Sequence, residues 1–267
     1  MRARRSGDEW LWVWYPAPGI DSVHADLDGR VLVWRRIAAT GGLVCERERF
    51  RPWVLLDRLD DLRHLGNRLG PEAEGMAPIR HRELRGPGEL RHLVSADDGR
   101  ELTAALLRGA SSRLGRRLTH LGELGQGSIL ALPPEEQYLV LTGRTYFRDL
   151  PFESLQRLQF DLETTGLDSR RDRIFMISIR YHNGETEVLE APIEGDAGEA
   201  ALIRLLIERV RTADPDVIEN HNLHGFDLPF LHERARVLGV RLSLGRIEGL
   251  GMKQRAARAR ALALDPA

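Results

Sequence analysis

The order of short apolar segments in the second half of the chain restricts its fold more than any other feature. Three short runs have strand length, and the run after them repeats apolar residues at helical spacing. The Asn183-Gly184 pair predicts a hairpin turn between the second and third runs. The predicted order is strand, strand, strand, helix, strand, helix, at residues 158–163, 174–181, 186–189, 199–210, 216–219 and 225–239. This order predicts an α/β core in which helices pack on a mixed sheet whose first three strands are antiparallel.

The first half of the chain differs in composition. All five tryptophans lie there, at Trp10, Trp12, Trp14, Trp34 and Trp53. This bias predicts a separate core, and therefore two domains in 267 residues. The Asp28-Gly29 pair predicts a two-residue hairpin turn in which both residues have positive φ. Strands are predicted for WLWVWY, SVHADL, RVLVWRRI, RPWVLLD and ELRHLV, and helices for residues 59–69 and 100–114, which makes this half β-rich.

Composition and charge exclude several classes of protein. The formal net charge is −1, and 42% of the residues are hydrophobic, so general disorder and a polybasic nucleic-acid tail are not indicated. No apolar run reaches the roughly 20 residues that cross a membrane, and we expect neither secretion nor membrane spanning. The single cysteine, Cys45, cannot form an internal disulfide. It predicts an ordinary small apolar side chain and a reducing, cytoplasmic location.

Carboxylates stand at the end of the first strand of the second half. Asp161 and Glu163 alternate with Leu162, so both carboxylates face one side of the strand. Neighbouring carboxylates repel each other unless a cation lies between them, and oxygen ligands suit Mg²⁺ or Mn²⁺. The alternative is an ordinary solvated strand end, which is the common meaning of a lone Asp-x-Glu.

A third carboxylate, Asp227, begins the last predicted helix. The positive end of that helix favours an ionised carboxylate, which could then face the first strand. The alternative is a turn or helix-capping aspartate.

Two strings carry a family resemblance. FDLETTGL, from Phe160 to Leu167, and ENHNLHGFDLPFL, from Glu219 to Leu231, resemble the first and second exonuclease motifs of family-B DNA polymerases, a group of DEDD 3′–5′ exonucleases. The element order is that of a ribonuclease-H-like core. The first half, with RFRPWVLLD, resembles the β-rich N-terminal domain of such polymerases. The resemblance implies an N-terminal domain at 1–150, an exonuclease domain at 151–248 and a divergent Arg/Ala-rich tail at 249–267.

The resemblance also implies a function. It predicts that Mg²⁺ or Mn²⁺ ions support hydrolysis at the 3′ end of single-stranded DNA, as in proofreading during replication or repair. The implied catalytic residues and metal ligands are Asp161, Glu163 and Asp227, and the implied substrate-binding residues are Thr164, Leu167, Asn222 and Phe226.

A third motif is expected in this family, with a tyrosine followed four positions later by an aspartate. The last tyrosine here is Tyr181, and the only aspartate after Asp227 is Asp265, so the motif is not found. We therefore expect an incomplete two-ion site, weak or no exonuclease activity and no polymerase activity in this chain, which resembles a family-B polymerase truncated before that motif. The alternatives are a non-catalytic nucleic-acid-binding remnant, or a fragment that a separate polymerase chain completes.

Overall fold

A computed structural model describes residues 18–37, 40–85, 88–125, 127–247 and 250. The chain divides into two compact units, Met1–Leu150 and Pro151–Ala267. The predicted strand WLWVWY and the predicted tail, apart from Leu250, lie outside the described residues. None of the helices in the described ranges is long and apolar enough to cross a membrane.

The first unit contains two sheets. One has the order β1-β2-β3 and is antiparallel, and the other has the order β5-β6-β7-β4-β8. The β-rich character predicted for this half is confirmed. The elements are β1 (Ile20–Ala25), β2 (Arg30–Arg36), β3 (Leu43–Arg49), β4 (Trp53–Leu56), β5 (Leu69–Pro71), β6 (Ile79–Glu83), β7 (His92–Ala96), α1 (Gly99–Leu114), β8 (Ile129–Leu130) and α2 (Pro134–Thr142).

The hairpin between β1 and β2 exists, but its predicted turn geometry is wrong. Gly29 has φ 80°, whereas Asp28 has no positive φ. The Asp26 amide bonds to the Arg30 carbonyl at 2.9 Å, so three residues form the loop. A loop of this length needs only one residue in the left-handed region, which glycine supplies without steric cost.

Several local features of the first unit differ from the predictions. The predicted helix at 59–69 is a 3₁₀ segment, Asp60–Arg68, with a kink at Gly66. Strands β3, β5, β6 and β8 and helix α2 were not predicted, because these segments are short, Pro-preceded or, in β3, mostly charged, and so carry little periodic apolar signal. Cys45 is exposed on β3, at the edge of its sheet, instead of packing as an apolar side chain.

Helix α1 packs closely against the 3₁₀ segment, and Gly109 makes this possible. A Cβ atom at Gly109 would lie 1.7 Å from the Asp61 carbonyl oxygen. Asp61 is buried and accepts two bonds from Arg113, at 2.7 and 3.0 Å, so the segment cannot easily move away.

We predict that Gly109→Ala lowers the free energy of unfolding of the first unit by about 1–3 kcal/mol, the usual cost of overpacking. Alanine favours the helix over glycine by about 1 kcal/mol, which offsets part of this loss. Tryptophan fluorescence during urea unfolding measures the effect, since all five tryptophans lie in this half. Arg108→Ala, at the exposed neighbouring position, is the control. A stabilised Gly109→Ala protein would contradict the close approach.

The second unit is built on one four-stranded sheet. The sheet order is β11-β10-β9-β12, with β9, β10 and β11 antiparallel and β12 parallel to β9. The predicted α/β fold and the predicted element order are confirmed. The elements are β9 (Arg157–Thr164), β10 (Ile174–Arg180), β11 (Thr186–Glu190), α3 (Asp196–Ala213), β12 (Val217–Glu219) and α4 (Leu228–Val237).

The core of the second unit lies on one face of this sheet. Leu158, Phe160 and Leu162 of β9 are buried together with apolar side chains of α3 and α4. Because side chains alternate along a strand, the intervening polar residues of β9 point to the opposite face.

Candidate active site

Strand β9 carries Asp161 and Glu163 on its open face. Both are exposed, whereas Leu162 between them is buried. Asp161 lies opposite Ser178 of β10, and Glu163 lies opposite Met176. The two carboxylates therefore occupy successive positions on one face of the sheet.

Asp227 follows β12 in the chain and lies near the C-terminal end of β9. Because β12 runs parallel to β9, the chain leaves β12 near the end of β9 that carries the carboxylates. It then forms a wide π-type turn, Leu223–Asp227, which leads directly into α4. Such turns are rare and often occur at functional sites. Here the turn places Asp227 in a buried position, with 2% of its surface exposed.

The environment of Asp227 disfavours its charge. Its Oδ1 atom is buried and has no hydrogen-bond partner. Burial raises the pKa of the carboxyl, and the neighbouring Asp161 raises it further, while the Leu162 backbone and the Asn220 side chain offset part of the shift. Burial and the charge of Asp161 therefore act against the helix start, which favours the ionised form.

Asn220 is a site residue that the sequence reasoning missed. Its side-chain amide donates to Asp161 Oδ1 at 3.1 Å. The available signal was its position directly after β12, the strand next to β9.

The two aspartates fit a divalent cation. A cation bound to Asp227 Oδ1 would offset the repulsion between Asp227 and Asp161. It would also give this buried oxygen a partner. Within the described part of the chain, no three His, Cys, Asp or Glu side chains converge into a metal-binding group. The structure therefore brings Asp161 and Asp227 together and does not bring Glu163 into a common group with them.

The residues predicted to hold the nucleotide lie at the end of β9 and in the segments that follow β9 and β12. The Thr164 hydroxyl donates to the Gly166 carbonyl at 2.8 Å, and Leu167 is 84% exposed. In the segment after β12, Asn222 is exposed, and Phe226 packs against Phe230 with ring centroids 5.2 Å apart. The two loops are distinct, one following β9 and the other following β12.

We predict that Asp227→Asn stabilises the second unit by about 1 kcal/mol in metal-free buffer, because the neutral side chain avoids both the desolvation of a buried charge and the repulsion from Asp161. The folded-state pKa of Asp227 is raised above 3.8, so wild-type stability falls as pH rises through that folded pKa. Asparagine does not titrate, so its advantage is full at neutral pH and disappears below about pH 3.8. Thermal unfolding followed by circular dichroism, with EDTA present, measures the difference. An advantage that stayed constant with pH would contradict the assignment.

The mixed sheet, with helices over one face and carboxylates on the other, defines a ribonuclease-H-like core. Residues 144–258 match the family model described as DNA polymerase family B, exonuclease domain. The chain is 40% identical over 106 residues to DNA polymerase 2 of Aeropyrum pernix, covering 38% of this chain and 13% of that protein. It is 33% identical over 126 residues to DNA polymerase 1 of Pyrococcus abyssi, covering 43% and 16%.

A solved structure shows the same fold. The family B DNA polymerase of the hyperthermophilic archaeon Pyrobaculum calidifontis aligns with a TM-score of 0.57 and 22% identity, covering 86% of this chain and 33% of that chain. Residues 144–258 are an exonuclease domain of the family B DNA polymerase type. The matched segments span only 13% and 16% of the two curated relatives.

Proposed function

We propose that the second unit, as an exonuclease domain at 151–248, hydrolyses the 3′-terminal phosphodiester of single-stranded DNA in a divalent-metal-dependent reaction. One observation carries the proposal. The buried carboxyl of Asp227 lies beside the exposed Asp161 of β9, inside the segment that matches the exonuclease domain. Two neighbouring carboxylates that repel each other are suited to share a cation.

Asp161 and Asp227 would hold the cation, and Asn220 keeps Asp161 in place through its side-chain hydrogen bond. Glu163 lies on the same face and would orient the attacking water. Bound Mg²⁺ or Mn²⁺ ions would lower the pKa of a water and stabilise the leaving 3′-oxygen. The residues of this chain supply position and negative charge.

The loops after β9 and β12 would hold the terminal nucleotide. Thr164 ends β9 and Leu167 lies in the loop after it, whereas Asn222 and Phe226 lie between β12 and α4. The exposed Leu167 side chain offers an apolar surface on which an unstacked base can pack. Single-stranded ends offer unstacked bases, and we therefore propose single-stranded 3′ ends as the substrate.

The setting of this activity also belongs to the proposal. We assign residues 1–150 as a β-rich N-terminal domain of the family-B polymerase type and residues 249–267 as a divergent tail. We propose that this activity serves proofreading in DNA replication or repair, in the cytoplasm. Polymerase activity is not part of the proposal for this chain.

A degradation assay tests the proposal. A 5′-labelled single-stranded DNA is incubated with the chain and Mg²⁺, Mn²⁺ or EDTA, with an RNA of the same sequence as a second substrate. We expect slow, metal-dependent shortening from the 3′ end that Asp161→Ala abolishes and Glu190→Gln retains, since Glu190 is an exposed carboxylate on a strand that β10 separates from β9. Shortening that persists in Asp161→Ala would contradict the proposed role of Asp161.

A second candidate function is single-strand binding without hydrolysis. It is favoured by the position of Glu163, which forms no common metal-binding group with the two aspartates among the described residues. Binding that weakens with salt, survives Asp161→Ala and occurs without DNA shortening would support it. A third arrangement, in which a separate polymerase chain completes the site, predicts that such a chain copurifies with this one.

A further inference from the structure

The second unit contains a fully buried ion pair away from Asp161 and Asp227. Glu199 of α3 and Arg234 of α4 are 2% and 3% exposed. Arg234 Nε donates to Glu199 Oε1 at 2.8 Å, and Nη2 donates to Oε2 at 2.6 Å. This is a two-point contact of fixed geometry between the two helices.

The same pair also contacts the segments next to the candidate active site. Glu199 Oε1 accepts from the Ile174 amide at 3.0 Å, where β10 begins. Arg234 Nη1 reaches the Ser169 carbonyl at 3.4 Å, in the loop that follows β9. Ile174 pairs with Thr164 at the end of β9. The pair therefore connects α4 to β10 and to the loop of the first motif.

Arg234 is also linked to Asp227 through α4 itself. It follows Asp227 by about two helical turns, and α4 begins immediately after Asp227. One end of the helix is thus anchored by the ion pair, and the other end presents the carboxyl beside Asp161.

Stability alone is a weak reason for such a pair. Removing two charges from water costs several kcal/mol per ion, and apolar replacement of a buried pair is often neutral or stabilising. A positional role has a physical basis here. The pair ties α4, which begins directly after Asp227, to the first residue of β10 and to the loop after β9.

We propose that Glu199 and Arg234 are a positioning pair for the metal site, fixing α4 and the loop after β9 so that Asp227 and Asp161 face the same cation. This inference rests on the proposed metal-dependent function. The pair does not touch the cation or the substrate; it acts through α4 and β10.

The test uses the full chain and the double variant Glu199→Gln/Arg234→Met. Glutamine keeps an oxygen for the Ile174 amide, and methionine approximates the length of arginine while removing the ion pair. Two quantities are measured: Mn²⁺ affinity by electron paramagnetic resonance, and amide hydrogen exchange of residues 223–227 and 165–173 without metal. Arg234→Lys, which keeps the charge and loses the planar fork, is the conservative variant.

We expect the double variant to remain folded, with unchanged exchange in α3, and to bind Mn²⁺ about tenfold more weakly, the lower end of the usual effect of a supporting residue. Both loops should exchange faster, and Arg234→Lys should fall between the double variant and wild type. A folded double variant with wild-type affinity and wild-type loop exchange would overturn the inference. If wild type binds no Mn²⁺, the proposed function fails, and the metal-free exchange still decides whether the pair positions these segments.

Discussion

Replacing Arg234 alone with leucine is expected to lower the free energy of unfolding of the second unit by about 3–5 kcal/mol. The substitution leaves Glu199 charged, 2% exposed and without the two bonds that it now accepts from Arg234. Natural domains are stable by only about 5–15 kcal/mol, so this loss should populate the unfolded form. Amide hydrogen exchange of α3 measures the effect in this unit specifically, since the tryptophans lie in the other half.

Arg236→Leu is the matched control on the same helix. Arg236 pairs with Glu233 at 2.7 Å, but its side chain is largely exposed. Surface pairs contribute about 0–1 kcal/mol, so the control should remain close to wild type. Equal losses of stability in Arg234→Leu and Arg236→Leu would show that burial does not determine how much the Arg234 pair contributes to the free energy of unfolding.

Replacing Asp161 or Asp227 with asparagine is expected to lower Mn²⁺ affinity by about 100-fold or more, because loss of a supporting residue alone costs about 10–100-fold. The double replacement should add little to the larger single effect, since both carboxylates would hold the same cation. Electron paramagnetic resonance of free Mn²⁺ measures each affinity. Asp227→Asn should lose Mn²⁺ affinity while gaining stability in metal-free buffer, which separates loss of the site from unfolding.

Glu190→Gln is the matched control for these replacements. Glu190 is exposed and lies opposite Met176 of β10, so strand β10 separates it from Asp161 of β9. Its loss should leave Mn²⁺ affinity near the wild-type value. Fully additive losses at Asp161 and Asp227 would mean that they bind different ions or none in common.

Local patterns predicted most of the second unit. The alternation around Leu162 correctly placed Asp161 and Glu163 on one face, because side chains of a strand alternate regardless of what surrounds it. Helical spacing located α3 and α4, and the glycine-containing pairs located both hairpins. In the first unit the same reasoning missed β3, β5, β6, β8 and α2, which lack a clear apolar period.

The sequence by itself determined the order of elements in the second unit, the faces of β9 and the motifs that identify the exonuclease domain, since all of these depend on neighbouring residues along the chain. Only the tertiary structure decided the burial of Asp227, the bond from Asn220 to Asp161 and the pairing of Glu199 with Arg234. The last two residues are 35 positions apart. Desolvation and charge act through space, so their effects on a carboxyl depend on which distant segments the fold brings beside it.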